Sequence, residues 1–202
     1  MLNHLRKSII DSLSQTGETG TQKDGMDMSF AVINIETNQL QWAGANNPLW
    51  IVKMESAKAR QGESGALSKS KCETENPLTF SSSQSPTFPQ EKEMPPFQKV
   101  ASLVEIKPDK MPIAIYERMD GFTNHEQQLN SGDILYLMSD GYEDQFGGPK
   151  GKKFLSKNLK QLLMINAELS MEEQKKVLEK TLIEWIGEGE QIDDITILGL
   201  KI

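Results

Sequence analysis

A single cysteine, Cys72, in 202 residues excludes an intramolecular disulfide framework and fits a reducing compartment. Basic charge is in deficit: 22 Lys and Arg face 29 Asp and Glu, for a net charge of -7. That balance argues against a nucleic-acid partner, because such proteins present a basic face. No run approaches the roughly 18 apolar residues needed to cross a bilayer, so no membrane insertion is expected. Residues 1–11 carry His4, Arg6, Lys7 and Asp11 among their apolar positions, and so lack the continuous apolar centre of a signal peptide. The expectation is a soluble, cytoplasmic protein. Apolar residues make up only 37% of the chain, low for a compact domain, while the charged share of 25% is ordinary. A polar stretch must therefore dilute an otherwise normal core.

That stretch is easily located. Across residues 55–99, Ser, Gln, Glu, Lys and Pro dominate, with Ser81-Ser82-Ser83, Pro86, Pro89 and Pro95-Pro96 as breakers. Too few apolar side chains are available there to offset an ordering cost of about 1–2 kcal/mol per residue. The segment reads as a disordered insertion within one domain spanning 1–202. Cys72 lies inside it with no histidine nearby in sequence, which marks an incidental exposed thiol and not a nucleophile.

Outside the insertion the pattern is that of a mixed fold. Leu2, Leu5, Ile9 and Leu13 recur at helical steps, and the Gly, Thr and Ser of 14–25 end that helix. A β-favouring run over 26–35, a turn at Thr37-Asn38-Gln39 and a returning strand at Leu40-Gln41-Trp42-Ala43 read as a hairpin. Further strands are expected over 49–54 and 101–106, with order continuing through 111–115. The uninterrupted run Ile134-Leu135-Tyr136-Leu137-Met138 fits a strand buried on both faces. Two helices follow, over 153–166 and 170–186; the second opens with Ser170 and Glu173 in capping-box spacing. A last strand is expected over 194–202.

Two short acidic motifs bear on chemistry. Ser139-Asp140-Gly141 follows directly on the buried strand, so its carboxylate is held at a rigid apolar end with a glycine that permits close backbone approach. The plainer explanation is a turn whose aspartate caps local backbone groups. Asp193-Asp194 precedes the final strand; adjacent carboxylates repel unless a cation or donors balance them, or unless one is simply solvated. Taken together, Asp140 and Asp193 lie on elements that could neighbour each other in one sheet. A few carboxylates plus waters suit Mg²⁺, and Mn²⁺ accepts oxygen ligands too. A two-metal site also needs a bridging carboxylate, and no third acidic motif of comparable context is present; Asp24 and Asp27 can be read as metal ligands, but a turn before a strand is the commoner role of Asp-Gly. The run Gly147-Gly148-Pro149-Lys150-Gly151-Lys152 fails the Walker pattern in spacing and in the missing Ser/Thr. Lys150 and Lys152 read instead as a basic loop, either a candidate substrate loop or a solvated turn.

Asp24-Gly25-Met26-Asp27, Ala43-Gly44-Ala45-Asn46-Asn47-Pro48, Lys110-Met111-Pro112-Ile113, Ser139-Asp140-Gly141 and Asp193-Asp194-Ile195-Thr196 occur in this order. The series resembles the SpoIIE-type branch of the metal-dependent protein phosphatases (PPM, or type 2C). The resemblance implies an α/β (α+β) sandwich of two mainly antiparallel β-sheets flanked by helices. It also implies hydrolysis of phosphoserine or phosphothreonine on a phosphorylated regulator protein with Mg²⁺ or Mn²⁺. By the same resemblance Asp140 and Asp193 bind metal, with Gly141 and Asp194 supporting the loop. The family's first metal motif, which supplies a shared aspartate and a histidine, lies upstream of the region matched, and His4 and His125 fall outside it. The expectation is a partial domain lacking its N-terminal strands: a fragment of weak or no activity, or a non-catalytic interaction module. Missing strands would also expose sheet edges that invite self-association.

Overall fold

The computed structural model describes residues 1–18, 24–54, 101–117 and 119–202. The insertion expected at 55–99, with Cys72, lies outside the described residues.

Helix α1 (Leu2–Ser12) forms where the apolar steps predict it, and Leu2, Leu5 and Ile9 turn inward. Strands β1 (Met28–Asn34) and β2 (Gln39–Ala45) form the expected hairpin. Its turn is built by the Asn34 side chain, which accepts from the backbone N–H of Glu36 and Thr37, and by Asn38 at φ 55°. Strands β3 (Leu49–Met54) and β4 (Ala101–Ile106) match the sequence reading. Strand β5 (His125–Gln128) was not anticipated. It is a polar edge strand that pairs with β2, with His125 tilted 5.4 Å from the Trp42 ring. Strand β6 (Ile134–Met138) is followed by the short helix α2 (Gly141–Asp144) and the small hairpin of β7 (Phe146–Gly147) and β8 (Lys152–Lys153). Helices α3 (Ser156–Ile165) and α4 (Met171–Ile186) and strand β9 (Ile197–Lys201) complete the chain.

Two expected boundaries move. The helix expected from 153 starts at Ser156, because Lys152–Lys153 pairs with Phe146–Gly147 and Leu155 takes φ 72°. The last strand begins at Ile197 and not at 194, leaving the acidic pair in a loop. The second helix keeps its predicted start. The Ser170 hydroxyl accepts from the Glu173 N–H, and the Glu173 carboxylate accepts from the Ser170 N–H; such a cap contributes about 1 kcal/mol.

Strand β3 sits at the centre of a layered stack because its side chains feed two cores. The larger sheet runs β4-β3-β6-β9, all antiparallel, and the smaller runs β1-β2-β5. Leu49 and Ile51 of β3 and Leu135 of β6 meet Leu40 and Trp42 of β2, so the two sheets face each other across an apolar layer. On the opposite face of the larger sheet, Trp50, Val52, Tyr136 and Met138 pack against Leu159 and Leu163 of α3, with Leu178, Leu182 and Trp185 of α4 at the margin. On the outer face of the smaller sheet, Phe30 and Ala43 pack against α1. The order is helix, sheet, sheet, helices: the sandwich expected. Full burial of each large apolar side chain in these layers contributes about 1.5–3 kcal/mol.

One buried group was not expected. Arg6 of α1 is buried; its guanidinium donates to the Asp120 carbonyl at 2.6 Å and lies 4.8 Å over the Phe122 ring. The carbonyl and the ring face offset its desolvation, and together they fasten the 119–122 loop to α1.

Candidate functional site

Strands β6 and β9 are antiparallel neighbours with Met138 opposite Ile197, so the chain leaving β6 and the chain entering β9 emerge side by side. The Ser139 N–H donates to the Thr196 carbonyl and the Thr196 N–H donates to Ser139 Oγ, both at 3.0 Å. The same hydroxyl donates to the Asp194 carbonyl at 3.0 Å. Gly141 is where backbone meets backbone: a Cβ there would lie 2.5 Å from the Asp194 carbonyl oxygen. The Ser-Asp-Gly and Asp-Asp loops are thus in direct contact.

Asp140 stands at the N-cap position of α2, and its carboxylate makes no capping hydrogen bond; its carbonyl accepts from the Asp144 N–H instead. The turn-capping explanation for this aspartate therefore has no support in the geometry. Asp193 differs, since its Oδ1 accepts from the Asp194 N–H at 2.7 Å. Both aspartates of that pair are exposed.

A cleft of about 190 Å³ opens beside these loops, lined by Asp27, Asn46, Pro48, Ser139, Asp140 and Glu143, among others. It gathers three of the sequence motifs. Asn46, at φ 58°, donates from Nδ2 to Asp27 Oδ1 at 2.8 Å. Its own N–H donates to the Asp109 carbonyl, while the Asp109 carboxylate is held by the Thr123 N–H and hydroxyl. Asp27, which the sequence reading assigned to a pre-strand turn, faces the same cleft as Asp140. Glu143 was missed; its signal was the three-residue step from Asp140 on a helical turn. Its carboxyl is held above the usual carboxylate range, first by burial and then by the charges of Asp144 and Asp140. Asp193 does not line this cleft but lies on the loop beside it. Lys150 and Lys152 sit at the β7–β8 hairpin and do not line it either. A larger hollow of about 430 Å³, between α4 and strands β6 and β9, contains none of the expected site residues.

The donors facing the cleft are carboxylate and amide oxygens, a set suited to a hard divalent cation and not to a soft one. Among the described residues, no group of three or more His, Cys, Asp or Glu side chains converges closely enough to hold a metal ion by itself. The donor chemistry fits Mg²⁺ or Mn²⁺.

The chain matches the family model for Stage II sporulation protein E (SpoIIE) over residues 63–202. It belongs to the SpoIIE family. No curated protein matches it significantly. Among solved structures it is similar to the SiaA-PP2C domain of Pseudomonas aeruginosa, with a TM-score of 0.65 and 23% identity, covering 100% of this chain and 59% of that one. It is also similar to the PP2C phosphatase domain, with a fragment of the regulatory domain, of the cell fate determinant SpoIIE from Bacillus subtilis. There the TM-score is 0.51 at 15% identity, over 98% of this chain and 50% of that one. At these identities the two structures speak for the fold, and the chain spans only 50–59% of their length. Mixed antiparallel sheets with flanking helices are common to the SpoIIE-family chain and to both.

Proposed function

We propose that this SpoIIE-family chain takes part in hydrolysing phosphoserine or phosphothreonine on a regulator protein, with Asp140 and Asp193 as ligands for Mg²⁺ or Mn²⁺. The observation that supports this is the Ser139 hydroxyl, which bonds to both the Asp194 carbonyl and the Thr196 N–H. It brings the two acidic loops together at the rim of an open, oxygen-lined cleft. When bound, the ion supplies Lewis acidity toward a phosphoryl oxygen and acidifies water.

The remaining work belongs to the chain. Asp140, uncommitted to any cap, and Asp193, between two anchored residues, offer carboxylate oxygens. Gly141 and Asp194 let the loops approach without an intervening side chain. Asn46 orients Asp27 across the cleft, and Glu143 adds negative field from α2. Lys150 and Lys152, on the hairpin that follows α2, supply cationic groups to a phosphorylated partner arriving at this edge. Because no three-carboxylate cluster exists among the described residues, the 202-residue chain alone is weakly active or inactive. That same observation favours a second reading, a non-catalytic interaction module that keeps the fold.

Hydrolysis of p-nitrophenyl phosphate with Mn²⁺ separates the two. It is measured on this chain and on the chain with any residues encoded upstream. Mn²⁺-dependent turnover lost in Asp140→Asn supports the phosphatase; no turnover in either form, with Mn²⁺ binding unchanged by Asp140→Asn, supports the module.

A further inference from the structure

Gln145 is fully buried one residue after α2, and every polar group of its side chain is committed. Its Nε2 donates to the Glu190 carbonyl at 2.8 Å and to the Phe146 carbonyl at 3.0 Å, while Oε1 accepts from the Ile192 N–H at 3.2 Å. Its backbone carbonyl accepts from the Trp185 indole N–H and from the Phe154 N–H, both at 3.0 Å. The orientation of the amide is fixed by its partners: reversal would set Nε2 against an N–H and Oε1 against two carbonyls. A glutamate could accept from Ile192 but has no donor for Glu190 or Phe146; an apolar residue serves none of the three.

Asp193 follows immediately on the backbone that Gln145 grips. On its other side, the Asp194 carbonyl and the Thr196 N–H are held by Ser139. Both anchors come from the segment 139–145, which also carries Asp140. The geometry points to Gln145 as a positioning residue: it clamps the 190–192 backbone and so fixes Asp193 in relation to Asp140. This rests on the metal-ligand reading of Asp193 for its consequence, though not for the clamp itself. Partners that orient a metal ligand typically carry a 10–100-fold effect on metal affinity.

The test uses the 202-residue chain in four forms: wild type, Gln145→Met, Gln174→Met and Asp193→Asn. Gln174 is also buried and hydrogen-bonded, but to Tyr136 and the Leu169 carbonyl and to neither acidic loop. It controls for the loss of a buried amide as such. Amide hydrogen exchange over 188–194 and Mn²⁺ binding by the electron paramagnetic resonance of the free ion are both read. Gln145→Met is expected to speed exchange at Ile192 at least tenfold and to raise the Mn²⁺ Kd about tenfold, with Gln174→Met leaving both near wild type. Unchanged exchange at Ile192 in Gln145→Met overturns the clamp, as does an equal change in Gln174→Met. If Asp193→Asn binds Mn²⁺ as tightly as wild type, or wild type itself binds none, the metal-ligand reading fails, while the exchange result still decides the clamp. Should Gln145→Met not fold, wild-type exchange decides: an Ile192 amide protected beyond its neighbours Glu190 and Gln191 supports the clamp, and one that exchanges as fast as they do overturns it.

Discussion

The Ser139 hydroxyl and the Asp194 carbonyl oxygen lie 3.0 Å apart, 55 residues from each other in sequence. Ser139 Oγ also accepts from the Thr196 N–H, so one hydroxyl spends its donor and an acceptor on the same neighbouring loop. Ser139→Ala removes both bonds and leaves the Thr196 N–H without its partner. At about 0.5–1.5 kcal/mol net per bond, the variant should lose about 1–3 kcal/mol. Urea unfolding reads this as a lower midpoint at unchanged slope. Mn²⁺ affinity should fall as well, because the two acidic loops lose their tie. A variant as stable as wild type would show that strand pairing between β6 and β9 holds the loops without the hydroxyl.

Gly141 makes the complementary prediction. A Cβ at this residue would sit 2.5 Å from the Asp194 carbonyl oxygen and 3.0 Å from its carbon, and backbone atoms cannot swing aside as a side chain can. Gly141→Ala must separate the loops, at a cost of about 1–3 kcal/mol typical of overpacking. Gly121→Ala is the control, since a Cβ there meets only the Asn3 amide at 3.7 Å. Thermal unfolding should show a clear drop for Gly141→Ala and little change for Gly121→Ala.

Glu105, on β4, carries a pH dependence of its own. Burial pushes its carboxyl up, but hydrogen bonds from Lys160 and the Trp50 indole, with the Lys160 charge, outweigh that and hold it below its ordinary value. A depressed carboxylate contributes stability that is present above its unfolded pKa and lost as pH falls through its folded pKa. Glu105→Gln should therefore melt below wild type at pH 7. The gap should close as pH falls through and then below the ordinary carboxylate range. A melting-temperature difference that stays constant from pH 7 to pH 2 would rule this linkage out.

These relationships mark how far sequence could reach. Strand β6 was legible to the residue because Ile134–Met138 is buried on both faces, and an uninterrupted apolar run is the signature of that environment. Helix α4 was legible through Ser170 and Glu173, whose capping box is local chemistry. Strand β5 was not, because His125–Gln128 is a polar edge with no apolar alternation, ordered by pairing with β2. The hairpin at Phe146 and Lys153 is too short to show a period. In the candidate site, the order of motifs pointed to Asp140 and the Asp193 loop. The roles of Asp27, Asn46, Glu143 and Gln145 depend on which backbone lies across from each, and no spacing encodes that. The burial of Arg6 was not legible for the same reason: its partner, the Asp120 carbonyl, is 114 residues away.

The expected exposure of sheet edges leads to a test of association. Strand β9 ends the order β4-β3-β6-β9, pairing only with β6 among the described residues. Its Leu198 and Leu200 are 60% and 47% exposed, although they stand opposite Leu137 and Leu135 on the face that lines the sandwich. An edge strand with unpaired backbone groups beside uncovered leucines is a template for another strand. The 202-residue chain should self-associate as its concentration rises, with light scattering giving a growing mean mass. Leu198→Lys places a charge on that edge while leaving the β6 pairing intact, and should shift the mass toward the monomer without lowering the unfolding free energy by more than about 0.5 kcal/mol. A wild-type chain that stays monomeric and monodisperse across the concentration range would mean that the leucine edge is not an adhesive surface.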